Sequence, residues 1–142
     1  MKKSISIFPF ALFFTLFAFN AFAGTEETRA LWNHHSKAWE ERNLDEFITE
    51  YTDDTLVIFN GQQFLGKEGA QRLFSKLFTF FNQASEHQMD FKIVKGNMIF
   101  IMWHAIINEK KYTGTDTFFV GDGKVKYQTI VFDPDLHAKF LN

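Results

Sequence analysis

The sequence predicts an α+β domain in which a curved, mostly antiparallel sheet of about six strands wraps on three helices, all of them in the N-terminal half. Three observations predict it. Apolar residues recur at helical spacing in three stretches before Phe81, they alternate with a period of two after Glu86, and turns rich in Gly and Asn cut that second region into similar lengths.

The chain opens with Met1-Lys2-Lys3, followed by an apolar run from Ile5 to Phe22 that contains seven Phe and closes on Ala21-Phe22-Ala23. A basic start, an apolar centre and a small-x-small end are the pattern of a cleavable secretory signal. An uncleaved anchor is the competing reading, since about 18 apolar residues can just span a bilayer. The polar Thr25-Glu26-Glu27 that follows favours removal, and no Cys follows to carry a lipid. The expectation is a signal peptide at 1–23, an exported domain at 24–142, periplasmic or secreted, and no membrane association after cleavage.

Within that domain, Leu31, Trp32, His35, Ala38 and Trp39 share one face of a first helix over Glu26 to Arg42. Asn43 caps a second, Leu44 to Tyr51, with Leu44, Phe47 and Ile48 as its stripe and Asp53-Asp54 as its close. Thr55 to Phe59 is β-branched and aromatic, and Asn60-Gly61 supplies a tight hairpin into Gln62 to Leu65. Gly66 then opens a third helix to about Phe81, with Leu73, Phe74, Leu77 and Phe78 inward. Four antiparallel strands follow, roughly Glu86 to Val94, Met98 to Asn108, Tyr112 to Val120 and Lys124 to Phe132, ended by Asp133-Pro134.

Removing the first 23 of 142 residues leaves 119, enough for one core. With no Cys, packing alone must stabilise it. Without Lys2 and Lys3, thirteen basic residues face seventeen acids and no basic run remains, which argues against nucleic acid as a partner. Thirteen Phe and three Trp in the exported part suit a dense core or a pocket for a small apolar or aromatic ligand.

Turn lengths predict the register. A two-residue turn at Glu109-Lys110 pairs Trp103 with Asp116, a three-residue turn at Gly121 to Gly123 pairs Asp116 with Gln128, and one at Lys95 to Asn97 pairs Met89 with Trp103. One inward row then reads Met89, Trp103, Asp116, Gln128, and the next His87, Ala105, Gly114, Ile130, whose two small residues leave space above the sheet. Phe91 and Ile93 fall on the same inward face. The other face carries Phe100, Met102 and His104, then Thr113 to Phe119 at alternate positions, then Val125, Tyr127, Thr129 and Val131. Such a face is apolar enough to predict a homodimer through it. A one-residue slip at the Asn108 to Lys111 turn would exchange Trp103 for His104.

The order of elements, with Asn43-Leu44-Asp45 through Tyr51-Thr52-Asp53-Asp54, Phe64-Leu65-Gly66-Lys67-Glu68-Gly69-Ala70, and Thr115-Asp116-Thr117-Phe118 followed by Gly123-Lys124-Val125, resembles the nuclear transport factor two-like superfamily, in particular its SnoaL-like members. The resemblance covers most of the exported domain and implies a cone-shaped roll around a pocket, without implying an activity. Against the ketosteroid isomerases of that superfamily, Asp116 matches the oxyanion Asp, while His35 stands where a Tyr and Phe59 where the proton-shuttling Asp would be. Isomerisation by that mechanism is therefore not implied.

Asp116 is the sharpest catalytic candidate, because a carboxyl beside an indole on an inner face is desolvated and can hold its proton for a ligand oxygen. The competing reading is a structural carboxylate paired with Gln128. His35, between Trp32 and Trp39, is the second candidate, as general acid or base, against a hydrogen-bonded core histidine. His34 is expected in solvent, His87 is a further proton-transfer candidate or a rim residue, and His104 belongs to the dimer face. The ligand-facing set is Trp32, Trp39, Phe59, His87, Trp103, Tyr112 and Gln128. No close-spaced ligand pair supports a metal, nothing calls for a cofactor, and no nucleophile elbow, catalytic Cys or phosphate loop occurs. Three functions stay open: a small-molecule-binding domain of the cell envelope, a proton-transfer enzyme (isomerase, cyclase or dehydratase) using Asp116 with His35 or His87, and an interaction module using the outer sheet face.

Overall fold

The computed structural model describes the backbone of residues 12–133 and the side chains of residues 24–133. The start of the expected signal segment and the tail after Asp133 lie outside the described residues. Helix α1 runs Leu12–Glu40 without a break at Gly24, so it starts earlier than the apolar spacing alone predicts. It ends because Arg42 turns left-handed (φ 56°). The Asn43 amide then donates back to the Ala38 carbonyl at 2.9 Å and the Arg42 amide to Trp39 at 3.1 Å, which satisfies the last carbonyls of the helix.

Asn43 caps α2, its side chain accepting from the Glu46 amide at 3.1 Å. This helix is only Leu44–Ile48, shorter than expected, and strand β1 begins already at Tyr51 and runs to Phe59. Two long-range contacts extend it: Tyr51 pairs with Val125, and the Thr55 hydroxyl donates to the Val125 carbonyl at 2.6 Å. Asp53 and Asp54 thus lie within a strand rather than at a helix end. After β2 (Gln62–Leu65), α3 (Gly66–Phe81) buries Ala70, Leu73, Phe74, Leu77, Phe78 and Phe81 on one stripe. Each large side chain so buried contributes roughly 1.5–3 kcal/mol.

Strands β3 (Glu86–Lys95), β4 (Met98–Ile107), β5 (Lys110–Gly121) and β6 (Lys124–Phe132) form the expected meander. The sheet order is β2-β1-β6-β5-β4-β3, with β1 and β6 parallel and all other neighbours antiparallel. The sheet curves round the three helices as an open cone. Among the described residues no helix is long and apolar enough to cross a membrane.

The inward parity holds for β4, β5 and most of β6, but the rows do not. The β4–β5 turn is Asn108-Glu109, both left-handed (φ 50° and 64°), so Trp103 faces Gly114 and Asp116 faces Ile101. An irregularity after Phe119 sets Asp116 opposite Ile130 and Phe118 opposite Gln128. Both shifts are of two residues, which moves a side chain along its face without turning it over. Of the predicted rows, Met89–Trp103 and His87–Ala105 stand; Ala105 meets Tyr112 and Gly114 meets Phe132.

Two bulges do reverse faces. One at Asp90 places Phe91 opposite Met102 and Ile93 opposite Phe100, so Phe91 and Ile93 lie on the outer face and not, as alternation predicts, inside. The other pairs Val125 with Val120, and Val125 is buried rather than on the outer face.

Candidate functional site

A cavity of about 160 Å³ lies between α1, α3 and the concave face of the sheet. Its walls are mostly rings, with Trp32 and Trp39 from α1, Phe59 from β1, Phe81 from α3 and Trp103 from β4. An engineered apolar cavity of about 150 Å³ takes up benzene, so one ring or a small fused pair matches this space. It opens between α1 and β3, where Glu40, His87 and Met89 line the cavity and are exposed.

Polar groups enter this wall as one connected chain. The Tyr51 hydroxyl donates to Gln128 Oε1 at 2.7 Å, Gln128 Nε2 donates to Asp116 Oδ2 at 3.0 Å, and the Trp103 indole N–H donates to Asp116 Oδ1 at 2.9 Å. Asp116 and Gln128, two residues out of register, meet diagonally, and so do Asp116 and Trp103. Burial pushes the Asp116 pKa above the usual carboxylate range, against the opposing pull of the Trp103 and Gln128 donors and of the nearby His35. Burial also raises the Tyr51 hydroxyl well above its ordinary value, keeping it a donor.

A raised folded-state pKa means that the stability tied to Asp116 is complete below the ordinary carboxyl pKa near 4 and is lost as pH rises through the folded value. Asp116→Asn removes that loss, since the amide can still accept from Trp103 and donate to an inverted Gln128. The Tm of Asp116→Asn relative to wild type should therefore rise between pH 3 and pH 8. Parallel Tm curves across that range would show that Asp116 carries no buried charge.

His35 is buried and on the cavity wall. Its Nδ1 lies 2.6 Å from Glu50 Oε2, and Glu50 is itself buried, with its other oxygen 2.7 Å from His34 Nδ1. A carboxylate only accepts, so it places the His35 proton on Nδ1 and leaves the Nε2 lone pair free. Among the described residues Nε2 has no protein partner. His34 is not simply solvated: its pKa is raised chiefly by the hydrogen bond to Glu50, with Glu46 adding to it. Glu50 and Tyr51 complete the polar contacts behind the cavity wall and do not stand among the residues expected from sequence. Their signal was spacing, since Glu50 lies three residues after buried Phe47 and Tyr51 four.

Trp32, Trp39, Phe59, His87, Trp103 and Gln128 all line the cavity, together with Asp116 and His35. Tyr112 does not: it pairs with Ala105 and stacks on Phe132 at 6.1 Å, behind the wall. The space expected over Gly114 is filled as well, by the Trp103 indole. His87 stands at the mouth among Trp39, Phe81 and Trp103. Although part of its side chain is open to solvent, the ring is desolvated among these neighbours, and that, with the charges of Arg42 and His104, lowers its pKa to about 4, so it is neutral at ordinary pH. His104 is on the outer face, its Nδ1 2.8 Å from Asp90 and its Nε2 3.2 Å from Glu86. Among the described residues no three His, Asp or Glu side chains are grouped to hold a metal ion.

No family model matches the chain, and no curated protein sequence matches it. Solved structures do. A nuclear transport factor two-like protein of unknown function from Burkholderia xenovorans LB400 superimposes with a TM-score of 0.65 at 19% identity, over 84% of this chain and 96% of that one. A steroid delta-isomerase from Pseudomonas aeruginosa gives 0.68 at 12% identity, over 81% and 85%. A candidate SnoaL-like polyketide cyclase from Shewanella denitrificans OS-217 gives 0.59 at 12% identity, over 80% and 96%. Likeness at these identities is a likeness of backbone, and on it the chain has the nuclear transport factor two-like fold, the cone that ketosteroid isomerase-like and SnoaL-like proteins share.

Proposed function

We propose that the chain is exported, loses residues 1–23, and acts as a small-molecule-binding domain that encloses one ring-bearing, largely apolar ligand. The observation that carries this reading is the ring-walled cavity with Asp116 and the partner-free Nε2 of His35 on its surface. Apolar walls supply affinity, and the two polar groups select orientation. The structures that match include a steroid isomerase and a candidate polyketide cyclase, whose names point to ring compounds. Native mass spectrometry of protein recovered from the cell envelope tests both parts: a first residue of Gly24 and a bound compound of ring type are expected. An intact Met1, or a domain that never retains or takes up such a compound, would overturn it.

A second reading, proton transfer, is favoured by the Glu50–His35 pair. Nε2 of His35 would accept a proton from an acidic C–H of the ligand, with Glu50 stabilising the imidazolium through Nδ1. Asp116 in its acid form would donate a hydrogen bond to the developing enolate oxygen. Both residues face one small space, so one ligand reaches both. On this reading His35→Ala and Asp116→Asn each lower turnover of aromatic or polyketide-like ketones by about 100-fold, and wild-type activity falls as pH rises through the raised Asp116 pKa. Unchanged turnover in both variants leaves a binding domain only.

We further propose a second copy of the chain on the outer sheet face, where Phe91 and Met102 are exposed on β3 and β4 and Tyr127 (57%) and Val131 (61%) on β6. Tyr127→Glu should then yield a monomer by light scattering. A wild-type protein that is already monomeric at high concentration removes the idea.

A further inference from the structure

The cavity opens between α1 and β3, and the two α1 indoles of its wall, Trp32 and Trp39, each carry a cation. Lys92 Nζ lies 5.3 Å from the Trp32 ring centre. The Arg42 guanidinium lies 5.6 Å from the Trp39 ring centre. Seven residues separate them on the helix, about 10 Å along its axis.

Neither cation is where local rules would put it. Alternation directs Lys92 to the outer face, and only the bulge at Asp90 turns it toward the helices. Arg42 holds a left-handed backbone, φ 56°, at the helix-ending position that normally belongs to Gly. The chain as a whole is acidic, with a formal charge of −2, so a positive mouth runs against its average. Of the two carboxyl side chains that line the cavity, Asp116 is buried and Glu40 is exposed at the opening. The field of Arg42 reaches His87 on the opposite lip.

We propose that this opening admits small aromatic carboxylates ring first, the carboxylate remaining at the mouth beside Arg42 while Lys92, over Trp32, adds attraction. The inference deepens the ligand-binding function proposed above and rests on it. A carboxylate left at the mouth stays partly hydrated and avoids the cost of burial beside Asp116. The ring alone enters the apolar space, which its size fits.

The test compares 2-naphthoate with neutral 2-naphthol on the 24–142 protein by calorimetry at pH 7 and low salt. Naphthoate should bind about fivefold tighter, the worth of one partly screened charge pair, and the ratio should shrink toward one in high salt. Arg42→Gly should remove most of the ratio while raising Tm, because Gly takes this backbone angle without strain; the rise excludes misfolding as the cause. Lys92→Gln should reduce the ratio by a smaller factor. Equal binding of the two compounds, or a ratio that survives Arg42→Gly, overturns the anion preference while the pocket stands. If neither compound binds, the pocket reading falls and this one falls with it.

Discussion

Gly114→Ala is expected to destabilise the domain by about 2–4 kcal/mol, the sum of a forced core shift and a weakened buried hydrogen bond. The methyl group would meet the Trp103 indole at Cζ2 and, 2.6 Å away, at Cε2, so the ring must leave. The ring lies there for a reason: it crosses its own cross-strand partner to bring its N–H to Asp116. Displaced, it leaves the buried carboxyl with Gln128 as its donor and pushes into the ligand space. Urea unfolding followed by tryptophan emission should show a lower midpoint, and uptake of aromatic compounds should weaken. An unchanged midpoint would mean that the indole is not held over Gly114.

Phe47→Ala should cost about 3–5 kcal/mol, as for other buried Phe truncations. Phe47 is 1% exposed and joins α1, α2 and α3 through rings, at 4.3 Å from His35, 4.7 Å from Phe74 and 5.1 Å from Phe78. It also lines the cavity. Its loss therefore enlarges the ligand space while freeing the His35 ring on one side. The expected result is a large fall in Tm that a small apolar compound such as benzene or indole partly restores. A fall with no restoration by any such compound would show that the site collapses rather than opens.

These two residues also show what was readable beforehand. Phe47 falls on the buried stripe of the second helix by spacing alone, because its neighbours along the chain reveal it. Counting from turn length gives Gly114 the right face but the wrong partner, since it does not disclose that Asn108 and Glu109 are both left-handed. The same holds for Asp116 and Gln128, placed directly opposite by counting and found diagonal in the sheet. Their hydrogen bond survives because the Gln side chain is long enough to span two residues. Tyr112 was misplaced for a related reason: its partner is Ala105, and Phe132 covers it.

By itself, the sequence determined the order of elements, the three-helix roof, the inward parity of β4 and β5 and the ring-rich character of the interior, because each is written in residues a few positions apart. Long-range packing settles that Glu50 holds His35 from 15 residues away, that Tyr51 reaches Gln128 across 77, and that the bulge at Asp90 turns Lys92 toward Trp32. Periodicity is a local property of a chain. Register, bulges and side-chain pairing are settled by how the whole core packs.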